Sequence, residues 1–371
     1  MFQTKTELHT HLMGMLTVEE IIEFAKEIGI EEVCDINNPD MSISVDVLMS
    51  NNYYDKLCVP KDIQVPYSCL NDFYINRNLI FKDIVQQVRK DKNCTSREAS
   101  MLVYNKWINK ALARFVSQGV EYVEISYSIP EVFKDFILDN NLKGLIDCNF
   151  LLSTQRSNLV TSADTSANTF EKSAKKLKKL LDNDMAVGFD IMGEETPFSA
   201  EELDYSNYEK SFKRKLEVLF EELLKFDNTT LRIHSGENRD SFFNTNFALE
   251  VIDEIVNDKG YQIPPPEIRI GHGLYFENND RYFELLKKYE CIIEVNASSN
   301  YALSNISSYR DIPYSVYLDR GIPVVVSTDG AGVYNTDVKN ENIIALNTIG
   351  KIDYNKILLD DDLIVSKKGR R

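Results

Sequence analysis

Apolar positions along this chain recur in two periods. Eight short β-rich runs stand out: Glu7–Leu12, Glu121–Tyr127, Leu145–Thr154, Ala186–Ile191, Leu231–His234, Ile268–Gly271, Cys291–Val295 and Pro323–Ser327. Most are separated by segments with helical spacing, such as Glu171–Asp184, Glu209–Phe226, Phe247–Asp258 and Arg281–Tyr289. Strands alternating with helices form βα units on a parallel sheet. Eight such units predict an α/β fold, a (β/α)8 TIM-type barrel with its chemistry at the carboxyl ends of the strands. We expect a single domain over residues 1–371.

One connection is far too long for a single helix. Residues 15–119 separate the first two barrel strands. Within them Thr17–Ile28 reads as an amphipathic helix opened by a capping box from Thr17 to Glu20, and Asn71–Asp91 and Ser96–Val116 read as further helices. This helical insertion between strands 1 and 2 could cover the barrel mouth as a lid or only pack on its flank. Asn342–Ile349 fits a closing helix. The lysine-dense run Lys172–Lys179 reads as the solvated face of a helix, and the basic tail Lys367–Arg371 as a frayed terminus.

Bulk composition narrows the function. Of 371 residues, 43% are apolar and 27% charged, which suits a globular domain with a full core. A net charge of −16 disfavours binding to nucleic acid, whose phosphates need a basic footprint. The six cysteines show no C-x-x-C pairing and read as reduced thiols. No signal segment or membrane-length apolar run is seen, so we expect a cytoplasmic protein without a membrane partner.

The four histidines carry the chemistry. His9 and His11 lie in Glu7-Leu8-His9-Thr10-His11-Leu12, His234 in His234-Ser235-Gly236-Glu237, and His272 in Arg269-Ile270-Gly271-His272-Gly273. Each falls at or near the end of a strand-like run, and a further run ends in Ser327-Thr328-Asp329. Residues i and i+2 of a strand point the same way, so His9 and His11 both face the barrel interior, where paired half-polar rings need partners. His9, His11, His234 and Asp329 would supply three neutral imidazoles and a carboxylate. That set suits one Zn²⁺ with a position left for water, Fe²⁺ and Mn²⁺ being alternatives, and such an ion brings bound water to a pKa of roughly 7.

Glu237 follows His234 across a glycine. Kept protonated by burial, it could donate to a substrate ring nitrogen, or it could simply be a glutamate favoured at a helix N-terminus. His272 could act as a base beside the metal-bound water or be a satisfied core histidine.

These segments, with Tyr122-Val123-Glu124-Ile125, Val187–Glu195, Glu294–Asn300 and Val326–Asp329, resemble the adenosine deaminase family of metal-dependent amidohydrolases in order and over nearly the whole chain. The resemblance implies that His9, His11, His234 and Asp329 hold one zinc, that Glu237 protonates purine N1, and that His272 orients or deprotonates the attacking water. It implies that Gly193 offers its backbone to purine N3, and that the partner is a small-molecule purine nucleoside or nucleotide losing ammonia at C6. Val187–Met192 contains no lysine that could bridge two metals, and the H-x-E/P-C-x-x-C pattern of cytidine deaminases is absent.

Two positions depart from the family. Gly330 stands where most members carry a second aspartate that contacts purine N7, and Met13 stands where an aspartate commonly binds the 5′-hydroxyl. The expected substrate is therefore altered at the 5′ position, such as AMP, dAMP or an N6-substituted AMP. Two other readings stay open: an amidohydrolase acting on a different amino-heterocycle, and a catalytically weak nucleotide sensor.

Overall fold

The computed structural model describes residues 3–157, 174–195, 205–241, 243–261 and 266–368. Its first strand, β1 (Thr6–His11), leads into the insertion. There follow α1 (Val18–Glu27), a hairpin of β2 (Glu32–Asp35) and β3 (Asn38–Ser44), a short helix α2 (Asn51–Tyr54), and the long helices α3 (Leu70–Asp91) and α4 (Ser96–Ser117). The chain then supplies β4 (Tyr122–Tyr127), β5 (Asp147–Gln155), β6 (Gly188–Met192), β7 (Thr230–Ser235), β8 (Glu267–His272), β9 (Ile292–Val295) and β10 (Val324–Val326).

β1 and β4 to β10 form one eight-stranded parallel sheet in sequence order. The circle closes between its ends, where the Asp329 amide donates to the His9 carbonyl and the His11 amide to the Asp329 carbonyl, both at 2.8 Å. With helices outside, this is the expected (β/α)8 barrel. Strand ends differ from the expected ranges by a few residues, as ends do where pairing gives out. The hairpin was not expected. Most of β3 is exposed and polar, so it lacks the half-buried alternation that marks a strand.

The barrel interior is ionic rather than oily. Arg269 reaches Glu124 at 2.8 Å and Glu294 at 3.2 Å, while Arg232 meets Glu294 at 2.7 Å and Asp190 at 3.5 Å, all fully buried. Buried charges persist only when paired in this way. The apolar core lies between strands and outer helices.

The insertion has its own packing. Thr17 caps α1 with the reciprocal Thr17/Glu20 hydrogen bonds of the expected capping box. Trp107 of α4 is fully buried, edge-on to Phe24 and Phe81 at 5.5 and 5.3 Å, and its indole donates to the Leu12 carbonyl at 3.2 Å. Arg77 of α3, also buried, donates to the Leu16 and Gly332 carbonyls at 2.7 Å each, which ties the insertion to both ends of the closing seam. The expected closing helix Asn342–Ile349 lies within a longer one, Val338–Lys368, bent at Gly350. From it Ile364 packs with Leu8, Tyr122, Ile292 and Val325.

Lys175, Lys176, Lys178 and Lys179 are exposed, as expected; Lys172, Ser173 and the start of the Glu171–Asp184 helix lie outside the described residues, as does the tail beyond Lys368. No helix among the described residues is long and apolar enough to cross a membrane.

Candidate active site

The strand termini bring all four histidines together. His9, at the centre of the group, has its ring centroid 5.4 Å from His11, 4.5 Å from His234 and 5.2 Å from His272. Gly271 makes room for this. A Cβ there would come within 2.8 Å of His9 Cε1, so only glycine lets β8 pass so close to the ring. Asp329 follows β10, with Oδ1 3.4 Å from His11 Nε2 and 3.8 Å from His9 Nε2.

Hydrogen bonds behind these rings decide which nitrogen faces inward. His9 Nδ1 lies 3.0 Å from a Glu294 carboxylate oxygen and 3.2 Å from the Asn296 side-chain amide nitrogen; the carboxylate favours the tautomer with the proton on Nδ1, which leaves the Nε2 lone pair free. Carboxylate support of this kind is typical behind a metal-binding imidazole. Ser299 donates to Asp329 Oδ2 at 2.6 Å and leaves Oδ1 for the histidines. His9 Nε2 and His234 Nε2 are buried and make no hydrogen bond. Buried polar atoms without partners are costly. One donor atom each from His9, His11 and His234 lies within 4.8 Å of the other two, a group that could hold a single divalent cation, and Asp329 Oδ1 lies beside the His9 and His11 nitrogens. Burial holds His9 well below the ordinary imidazole range and lowers His11 to about 4, so both rings are neutral, the form that ligates.

Glu237 and His272 face the same space. His272 Nδ1 sits 2.9 Å from Asn300 Oδ1, an acceptor, so Nδ1 is the nitrogen that donates and Nε2 is the one that faces the cavity; Nε2 lies 3.8 Å from Glu237 Oε1 and makes no hydrogen bond. Burial, with the nearby Asp329 charge, raises the Glu237 carboxyl to about 8. The Glu195 carboxylate shapes the turn that presents Glu237, accepting from the Gly236 amide at 2.9 Å and the Glu237 amide at 2.7 Å.

Above the strands opens a cavity of about 460 Å³. Its walls include His11, His234, His272, Asp329, Glu237, Met13 and Gly193. Gly193 is left-handed with φ +90°, and a Cβ there would overlap Gln155 Oε1 at 1.9 Å, so the backbone alone can be presented at that point. The insertion lines the cavity with Tyr67, Leu70, Asn71, Tyr74 and Asn78, and Tyr67 donates to Glu237 at 3.1 Å. Of the two readings of the insertion, this part of it belongs to the mouth.

Every site residue named from the sequence, His9, His11, His234, Asp329, Glu237, His272 and Gly193, is thus in or beneath one cavity. Sequence reasoning gave no role to Glu294, Asn300 or Glu195, although each lies inside a quoted motif. Tyr67 and Tyr74 were outside any motif. Their only signal is the spacing of positions 67, 70, 71, 74 and 78, one face of a helix and its approach.

Comparison with known proteins finds relatives over most of the chain. The sequence profile described as adenosine deaminase matches residues 94–355. The adenosine deaminase of Vibrio vulnificus (strain CMCP6) is 23% identical over 352 residues, covering 91% of this chain and 86% of that protein. Among solved structures, the Arabidopsis ADAL complexed with IMP superposes with TM-score 0.61 at 16% identity, over 96% of this chain and 90% of that one. The Arabidopsis N6-mAMP deaminase MAPDA gives TM-score 0.60 at 16% identity, over 96% and 92%.

Proposed function

Because the chain belongs to the adenosine deaminase family, hydrolases acting on C–N bonds, we propose that it deaminates an adenine nucleoside or nucleotide at C6 and leaves the inosine-type product. The convergence of Glu237 and His272 with three imidazoles and Asp329 in and beneath one cavity carries this reading. A pure nucleotide sensor needs neither the acid nor the base. The second enzymatic alternative, another amino-heterocycle, has no residue among the described lining residues that favours it.

His9, His11, His234 and Asp329 would hold one Zn²⁺, which supplies the Lewis acidity that makes water nucleophilic at neutral pH. The rest falls to the chain. His272, whose Nε2 faces the cavity without a hydrogen-bond partner, would take a proton there from the attacking water as its oxygen bonds to C6. Glu237, protonated, gives its proton to ring N1, so the charge of the addition is never left on the ring. The C6–N bond then breaks: the amino group takes the proton held by His272 and leaves as ammonia, the C6 hydroxyl gives its proton to the Glu237 carboxylate as the carbonyl forms, and both residues return to their starting forms. The Gly193 backbone would meet N3 and set the ring's orientation. Barrel and insertion act as one catalytic unit, since Tyr67 restrains the acid.

We place the substrate among compounds altered at the 5′ end, such as AMP, dAMP or an N6-substituted AMP. Met13 lines the cavity and offers a 5′-hydroxyl only a weak thioether acceptor in place of a carboxylate. Ser68, Ser126, Ser128, Ser157 and Asn71 supply neutral donors, and no lysine or arginine is among the described lining residues. Among the described residues, a phosphate would meet hydrogen-bond donors rather than cations. The Arabidopsis neighbours, one bound to IMP and one named an N6-mAMP deaminase, keep this within what the fold accommodates.

The test is kcat/KM for ammonia release from adenosine, 2′-deoxyadenosine, AMP and dAMP. The 5′-monophosphates should exceed their nucleosides, and a clear preference for unmodified adenosine would defeat the 5′ assignment. Glu237→Gln should keep its metal and lose about 10²–10⁴ in turnover. Unchanged turnover in that variant would remove Glu237 from the mechanism.

A further inference from the structure

Where the seam between β1 and β10 opens into the cavity, two glycines face one phenol. A Cβ at Gly14 would come within 2.8 Å of the Tyr74 hydroxyl oxygen, and one at Gly330 within 3.2 Å of the same atom. The two glycines also crowd each other, with the Gly330 Cβ position 3.4 Å from Gly14 Cα. Tyr74 thus fills the space that a side chain at 330 would otherwise occupy. Gly330 has no left-handed backbone that would demand glycine; what crowds a side chain there is the hydroxyl, with the Gly14 backbone beside it.

The hydroxyl belongs to the cavity. Tyr74 is part of its wall together with Asp329, Glu237 and Tyr334. Arg77, one helical turn further along α3, is buried and bonded to the Leu57, Leu16 and Gly332 carbonyls, which fixes the register of Tyr74 against the seam. Burial and the Asp329 charge both oppose ionisation of the phenol, so it stays a neutral O–H donor across the working pH range.

We propose that Tyr74 is a specificity-determining residue: its hydroxyl, seated against Gly14 and Gly330 beside Asp329, donates a hydrogen bond to the unprotonated ring nitrogen of the five-membered ring, N7. This rests on the purine reading above and adds to it. With N1 facing Glu237 and C6 facing Asp329 and the histidines, the ring edge beyond C6 from N1 is C5 and N7, on the Gly330 side. A carboxylate there could pair with N7 only if one of the two were protonated. A phenol needs no such proton, because it donates to the lone pair a neutral purine already has.

The experiment compares each purine with its 7-deaza analogue, which has C–H in place of N7, in the metal-loaded protein. It reads equilibrium binding of the inosine-type product pair by calorimetry and kcat/KM for the adenine pair. The parent should favour the N7 compounds by about 10-fold, the worth of one hydrogen bond plus the cost of leaving a partner unmet. Tyr74→Phe, which keeps the ring and its packing, should bring that ratio to within about 2-fold of unity by weakening only the N7 compounds. Gly330→Asp in the Tyr74→Phe background, where the hydroxyl no longer blocks it, should change the preference anew, whereas Gly330→Asp alone should weaken both compounds through collision with Tyr74.

A Tyr74→Phe variant that keeps the 10-fold ratio, or that weakens both analogues equally, would overturn the assignment. Product binding keeps this result separate from the catalytic one. A protein that deaminates nothing but still discriminates N7 through Tyr74 would fail the proposed function and uphold this contact, and a parent that binds neither purine would overturn both.

Discussion

At the scale of single residues, burial sets the protonation of three groups in the site. It keeps His9 and His11 neutral and Glu237 protonated, so the proposed ligands and the proposed acid would be ready at neutral pH without a preceding proton transfer. The sign for Glu237 follows directly. Its carboxyl is raised to about 8, the protonated form is the active one, and turnover should therefore fall as pH rises through that value. A bound cation favours the carboxylate and draws this limb to lower pH. A pH profile of kcat/KM should show the alkaline limb in the parent, and Glu237→Gln should flatten it while lowering the whole curve. An unchanged limb in Glu237→Gln would assign it to another group. Glu237 and His272 were legible from the sequence because each sits at a strand end, where the barrel dictates direction. The supports were not: Glu195 acts through the Gly236 and Glu237 amides, and Asn300 through one imidazole nitrogen.

At the scale of elements, the insertion is where pattern reading succeeded for helices and failed for function. Thr17 and Glu20 announced α1, and α3 and α4 fall within a residue or so of their expected ends, because capping and helical periodicity are local. Thr17→Ala should cost about 1 kcal/mol of stability, measured by denaturant midpoint, with activity kept. A neutral result would mean that packing alone holds the helix. The residues that point into the cavity, Tyr67 and Tyr74, share helix faces with core residues, so nothing in the spacing separates a ring that packs from one that serves the site. Arg77 is another such case, a buried cation whose partners are all backbone carbonyls. Arg77→Leu orphans these carbonyls and should cost about 3–5 kcal/mol. Hydrogen exchange should show the loss first in α3 and the segment before it. Uniform loss across the barrel strands would argue that the insertion and barrel do not separate.

At the scale of the whole molecule, the barrel brings side chains more than 300 positions apart to one point: Asp329 pairs with β1 backbone and its carboxylate faces His9 and His11. That meeting was legible because strand alternation and barrel closure are rigid geometric rules. The hairpin β2–β3 and the ionic barrel interior were not, since neither follows a simple hydrophobic period. If the four ligands share one cation, removing the cation with a chelator should lower the melting temperature, because only the folded barrel assembles the site. The most direct measurement is elemental metal content with ammonia release on the same samples of the parent, His9→Ala and Glu237→Gln. The account predicts about one equivalent of zinc per chain in the parent and in Glu237→Gln, little in His9→Ala, and turnover in the parent alone. Full metal content and turnover in His9→Ala would contradict it.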